Sequence, residues 1–151
     1  MNHTRLLPFI FLISIVLPSA PYADSSHLDV TTWTEETLLS TLSVDYSKTA
    51  SDFGPIQHRY SMNAWITLRN FFSEQIITIK EQQLTLHPQP LTQPTIVGEG
   101  IFSGIQYWRV NQSFSIPELN SILNFSLLVI KGNNPPFMIQ SLSLKRDKPN
   151  Q

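Results

Sequence analysis

The chain divides where the period of its hydrophobic positions changes. Up to about residue 80 apolar residues recur every three to four positions, as on one face of a helix; from Leu84 onward they alternate, as along half-buried strands. After a lead-in over residues 24–30, Thr32-Trp33-Thr34-Glu35 has the spacing of a capping box, in which the threonine hydroxyl accepts from the amide three residues on and the glutamate reaches back. A first helix is expected to begin there, with Trp33, Leu38, Leu39, Leu42 and Tyr46 on its inner face and Glu35, Glu36 and Ser40 largely elsewhere. The two glutamates would also complement the helix dipole. Residues 47–58 are polar and contain Gly54-Pro55, a breaker at which the chain should turn back. Ser61 then offers an N-cap for a second helix over roughly 61–74, burying Trp65 and Phe72 and leaving Asn63, Asn70 and Glu74 to water. Residues 75–81 read both ways: Ile76, Ile77 and Ile79 favour a strand, and Lys80-Glu81-Gln82-Gln83 does not.

In the alternating half, Leu84 and Leu86 precede a loop built on Pro88, Pro90 and Pro94, which suits a sheet edge or a crossover. Strands are expected over 95–101 and 105–112, joined by a hairpin turn at Phe102-Ser103-Gly104. The most apolar run, Ser121 to Lys131, is followed by the turn Gly132-Asn133-Asn134-Pro135-Pro136 and a last strand from Phe137 to Arg146. Helices first and an antiparallel meander afterwards imply an α+β fold, with N-terminal helices packed on one face of a curved antiparallel sheet of about four strands.

Residues 1–23 read as an export signal rather than as part of this fold. Arg5 supplies a weak positive start, Leu6 to Leu17 form the apolar run, and Ser19, Ala20 and Ala23 are the small residues near a cut expected after Ala23. Pro8 interrupts the run and Pro21 sits where a small residue is preferred; an uncleaved inner-membrane anchor is the alternative, for which the run falls short of the roughly 20 residues a span needs. Residues 24–151 then form one exported domain, large enough for its own core. Without Arg5 the balance is nine basic against eleven acidic side chains, which gives no electrostatic case for nucleic acid. Lys145, Arg146 and Lys148 cluster at the end of the last strand and read as a solvated tail.

The candidates for chemistry are few. The chain has no cysteine, so disulfides, thiolate metal sites and a cysteine nucleophile are excluded from it. His27, His58 and His87 stand outside any metal-ligand spacing, and no metal or other cofactor is expected. Asp52, His58 and Ser61 lie close in sequence, but Ser61 is better explained as a cap and no nucleophile elbow is present, so no catalytic residue is assigned. Gly98-Glu99-Gly100 is not a phosphate-binding fingerprint; Glu99 and Tyr107 are the residues that would line a concavity if the sheet held a small molecule. Two glycosylation triplets, at Asn111 and Asn124, are assigned no function.

Two tryptophan-centred segments remain, Tyr60-Ser61-Met62-Asn63-Ala64-Trp65 and Gly104-Ile105-Gln106-Tyr107-Trp108-Arg109-Val110, with Trp65 and Trp108 expected to be major core contributors. An aromatic-Ser/Thr-x-x-small-Trp helix start followed by a Gly-x-x-Tyr-Trp-x-Val strand resembles the periplasmic domain of the DotI/IcmL family of type IVB (Dot/Icm) secretion systems. The Trp33 helix, Asp45-Tyr46 and Leu144-Lys145-Arg146 fit in order, so the resemblance covers roughly residues 28–146. It implies an α+β domain of the cystatin-like or nuclear-transport-factor-like class, shared with conjugative-transfer factors. It further implies a non-enzymatic role through contacts with secretion-complex proteins, with inner-membrane association through that complex and with homo-oligomers open. Members are also known as macrophage-killing proteins similar to conjugation proteins. The chain departs from the family in its signal-like start, where members carry a cytoplasmic tail and a full span. A small-molecule-binding or enzymatic periplasmic domain is the alternative.

Overall fold

The computed structural model describes residues 25–149; the expected export segment and its cut after Ala23 lie outside them. Helix α1 (Ser25–Leu42) leads through a 3-10 turn and the four-residue α2 (Gly54–Gln57) into α3 (Met62–Glu81). Five strands follow: β1 (Gln89–Pro90), β2 (Thr95–Phe102), β3 (Ile105–Ile116), β4 (Ser121–Lys131) and β5 (Phe137–Asp147). All neighbours are antiparallel, in the order β1-β3-β4-β5, with β2 also pairing β3. Because β4 occupies one edge of β3 throughout, β1 and β2 share the other edge end to end. The fold is α+β with an open, curved sheet, as expected, and β1 adds a short fifth strand around Pro90, which has no amide to donate and tolerates an edge.

One core joins the two layers. Val30, Leu38 and Leu42 from α1 and Ala64, Leu68 and Ile79 from α3 pack with Trp108, Val110, Phe114 and Ile116 of β3 and with the odd-numbered residues of β4 from Leu123 to Val129. Alternation along β3 and β4 is what delivers these side chains to the helices and their neighbours to the opposite face.

The first helix starts earlier than the capping-box reading predicts. Residues 25–30 are helical, Thr32 is an exposed mid-helix residue, and the carboxylate of Glu35 accepts a short hydrogen bond from Nε2 of Gln112 on β3 instead of reaching back to a cap. The fully buried Val30 explains the extension, since a turn begun at Thr32 would leave it outside the helix. Three threonines, Thr34, Thr37 and Thr41, are buried on this helix. Thr34 and Thr41 donate to the carbonyls of Val30 and Thr37 at 2.7 Å, and Arg59 Nη1 donates to Thr37 Oγ1 at 3.0 Å, so the buried hydroxyls are satisfied. Tyr46 lies beyond the helix and is exposed.

Gly54-Pro55 starts α2 rather than breaking the chain, because proline at the first helical turn loses no hydrogen bond. Ser61 caps α3 as expected: its Oγ accepts from the amide of Ala64 at 3.2 Å. The helix continues through the isoleucine-rich residues 75–81, since Gln75 and Ile79 carry forward the buried line of Ala64 and Leu68. Tertiary packing outweighs β-branched preference there. Trp65 and Phe72 are half-buried beside that line rather than on it.

The segment before α3 is stitched to the sheet. The amide of Ile139 donates to the carbonyl of Arg59, the amide of Ser61 donates to the carbonyl of Ile139, both at 2.9 Å, and Ser61 Oγ donates to the carbonyl of Gln140 at 2.6 Å. Tyr60 and Ser61 thus protect part of the β5 edge.

Candidate functional site

The β2–β3 hairpin turns on Ser103 and Gly104, both at positive φ (49° and 78°), the signature of a type I′ turn that matches strand twist. Phe102, expected in the turn, is the last residue of β2. β3 runs four residues beyond the expected Gln112, because Gln112, Phe114 and Ile116 continue the buried alternation.

A bulge at Val97 decides where the candidate residues of β2 point. Ile96 stands opposite Val110, but Gly98 stands opposite Arg109 and Glu99 opposite Trp108. The extra residue shifts the alternation, so Glu99 projects on the helix side and meets His27 of α1, Nε2 to Oε2 at 2.5 Å. Glu99 therefore lines neither of the two hollows on the opposite face. An alternating pattern carries no mark of a bulge, and the sequence reading missed it.

The two glycines beside Glu99 shape the face that the helices leave uncovered. A Cβ on Gly100 would lie 3.0 Å from the Tyr107 hydroxyl oxygen and 3.2 Å from its ring, and one on Gly98 would touch the aliphatic part of Arg109 at 3.6 Å. Tyr107 and Arg109 thus lie flat across β2 because no side chain stands beneath them. With Phe102, Ile105, Leu128 and Ile130 they line a groove of about 530 Å³ on the open face. A second hollow of about 390 Å³, lined by Val97, Asn111, Ser126 and Ser143, adjoins it, and Arg109 borders both. Phe102 is 76% exposed and Ile105 48%, and both line the first groove, so its apolar wall is open to solvent. Tyr107 lines the groove as expected, and Arg109 is the functional candidate that the sequence reading did not single out.

The remaining candidates are dispersed. His87 sits on the connection from α3 to β1, where its ring Nδ1 donates to Glu118 at 2.7 Å and its amide donates to both carboxylate oxygens at 3.2 Å. Asp52 accepts from the amide of Thr49 at 2.7 Å and closes the 3-10 turn, while Ser61 is occupied as cap and strand tie, so Asp52, His58 and Ser61 form no catalytic array. Asn124 hydrogen-bonds Ser113 and Asp147 within the sheet, and Lys145 pairs with Asp147 at 3.1 Å. Among the described residues no group of three or more histidines and carboxylates could hold a metal ion.

Three carboxylates make the fold acid-sensitive, the first being Asp52, whose pKa is lowered by the hydrogen bonds from the amide and hydroxyl of Thr49. Asp45 accepts from the side chain and amide of Ser47 and from Thr85 Oγ1, which lowers its pKa. Burial works to raise that of Glu118, but the hydrogen bonds from the His87 ring and from backbone amides outweigh it and the result is a lowered value. A carboxylate with a lowered folded-state pKa adds stability that is present above its unfolded value, about 4, and lost as pH falls through the folded value. The melting temperature is therefore expected to drop as pH is taken from 5 toward 2, and to drop less in Glu118→Gln. An equal acid-side drop in the variant would remove Glu118 from this account.

No protein-family model and no curated protein sequence matches the chain. Solved structures do. The periplasmic domain of DotI superposes with a TM-score of 0.65 at 12% identity, covering 84% of this chain and 98% of that one. A periplasmic fragment of TraM gives 0.67 at 13% identity, covering 80% and 98%. An IcmL-like type IV secretion system protein from Legionella pneumophila gives 0.59 at 13% identity, covering 82% and 95%. At such identities the likeness speaks for the fold, and it embraces nearly all of each neighbour. The chain has the α+β fold of the DotI periplasmic domain, the TraM periplasmic fragment and the IcmL-like secretion protein.

Proposed function

We propose that the chain is a DotI/IcmL-type protein, exported to the periplasm, that serves a type IVB secretion apparatus through protein contacts rather than catalysis. The observation that carries this is the near-complete structural overlap with the DotI periplasmic domain and the IcmL-like secretion protein, 98% and 95% of their lengths. The two tryptophan segments that carry the resemblance are built into this fold, since Tyr60-Ser61 ties α3 to β5 and Trp108 is buried in the core. Among the described residues no helix is long and apolar enough to cross a membrane. Deletion of the gene in its own organism, followed by an assay of type IV substrate transfer, tests the proposal. Transfer should fall and be restored by the wild-type gene; undiminished transfer in the deletion strain would count against a role in secretion.

A further inference from the structure

We propose that the open face of the sheet, around Arg109, is the docking site for an amphipathic helix of a partner protein that carries a carboxylate to meet that arginine. This names the contact surface for the protein-contact role above and rests on that reading.

Charge is the first argument. Arg109 crosses β2 over Gly98 and borders both hollows of the face, yet its guanidinium makes no hydrogen bond or ion pair with any described residue. No carboxylate lines either hollow. The acid at the far end of this face, Asp147, is already engaged by Lys145 and Asn124. A second copy of the chain laid face to face would bring two guanidinium groups under cover with no acid opposite, and burying unpaired charge is costly. The complementary occupant is a different molecule, apolar where it meets Phe102, Ile105, Leu128 and Ile130 and anionic at Arg109.

Backbone chemistry is the second argument. β3 and β4 are paired along their lengths, so their main-chain groups are consumed within the sheet and the face offers side chains only. An extended segment lying there would leave its own amides and carbonyls unpaired against an apolar floor; a helix satisfies its own. From Ile105 to Asn111 the face runs about 20 Å at ~3.3 Å per residue. A helix of about 13 residues matches that length at 1.5 Å per residue.

The test uses synthetic helical peptides of 14 residues with one leucine-isoleucine face, bearing Glu, Gln or Lys at its centre, titrated against the 24–151 chain by fluorescence anisotropy. The Glu peptide should bind wild type about tenfold or more tighter than the Lys peptide. In Arg109→Glu, a solvent-facing change whose circular dichroism should match the parent, the order should reverse. Ile105→Asp should abolish binding of every peptide. Peptide binding indifferent to both substitutions, or none at all, would overturn the proposal. So would Arg109-dependent sedimentation with phosphatidylglycerol vesicles without peptide binding, which would make the face a lipid site, or a dimer that Ile105→Asp dissolves. None of these outcomes bears on substrate transfer in the deletion strain, so the secretion role and the docking surface fail separately.

Discussion

Replacing Trp108 by alanine is expected to remove about 3–5 kcal/mol of stability, the range for a buried large aromatic. The indole is 1% exposed on β3, and its ring meets Phe137 edge-on with centroids 5.5 Å apart, while Phe137 in turn packs on Trp33 of α1 at 5.5 Å. Truncation therefore opens a cavity where a helix, a central strand and the start of β5 converge. Domains of ordinary size are stable by about 5–15 kcal/mol, so the variant should be largely unfolded or close to it at 37 °C. Trp108→Phe separates packing from polarity. The indole Nε1 is buried with no hydrogen-bond partner among the described residues, so phenylalanine removes an unsatisfied donor as it loses volume, and its cost should be less than half that of alanine. Urea denaturation of both variants checks this; an alanine variant within 1 kcal/mol of the parent would contradict the placement of Trp108 at the junction of the layers.

Tyr60→Ala should be of similar size, about 3–5 kcal/mol, for a different reason. Tyr60 is 5% exposed, its hydroxyl lies 2.7 Å from Thr41 Oγ1 of α1, and its ring contacts Trp65 of α3 with centroids 5.8 Å apart. Burial raises the phenol well above its ordinary pKa, so it stays neutral at all physiological pH. Alanine would remove the ring that joins α1, α3 and the β5 edge and leave Thr41 with only its bond to the Thr37 carbonyl. Tyr60→Phe keeps the ring and loses one hydrogen bond, so about 1 kcal/mol is expected. Trp65→Ala, at a half-buried position, should fall below Tyr60→Ala. A ranking with Trp65→Ala as the more damaging change would overturn this reading of the helix start.

That ranking marks where residue patterns stop being informative. Trp65 and Trp108 look equivalent in the sequence, but burial depends on which line of a helix meets the sheet, and Ala64 and Leu68, not Trp65, lie on it. Strand β4 was legible to the residue, because the alternation from Ser121 to Lys131 is bounded by a left-handed Asn120 and the Gly132 turn. The Ser61 cap was legible for the same reason, a local rule with a local cause. α1 was not: threonine is both a cap former and a residue that can bond the carbonyl four before it, and only the tertiary structure shows that Thr34 and Thr41 do the second. The open face was half visible. Tyr107 was identified, but the role of Gly98 and Gly100 beneath Arg109 and Tyr107 depends on the register of two strands around the Val97 bulge.

Protein contact with a secretion apparatus is the central claim, and affinity isolation of the tagged full-length chain from detergent-solubilised envelopes, with quantitative mass spectrometry, tests it most directly. Inner-membrane components of a type IV secretion complex should be enriched with wild type and depleted with Arg109→Glu. Recovery of the chain free of secretion components, in cells where the apparatus itself is assembled, would contradict it.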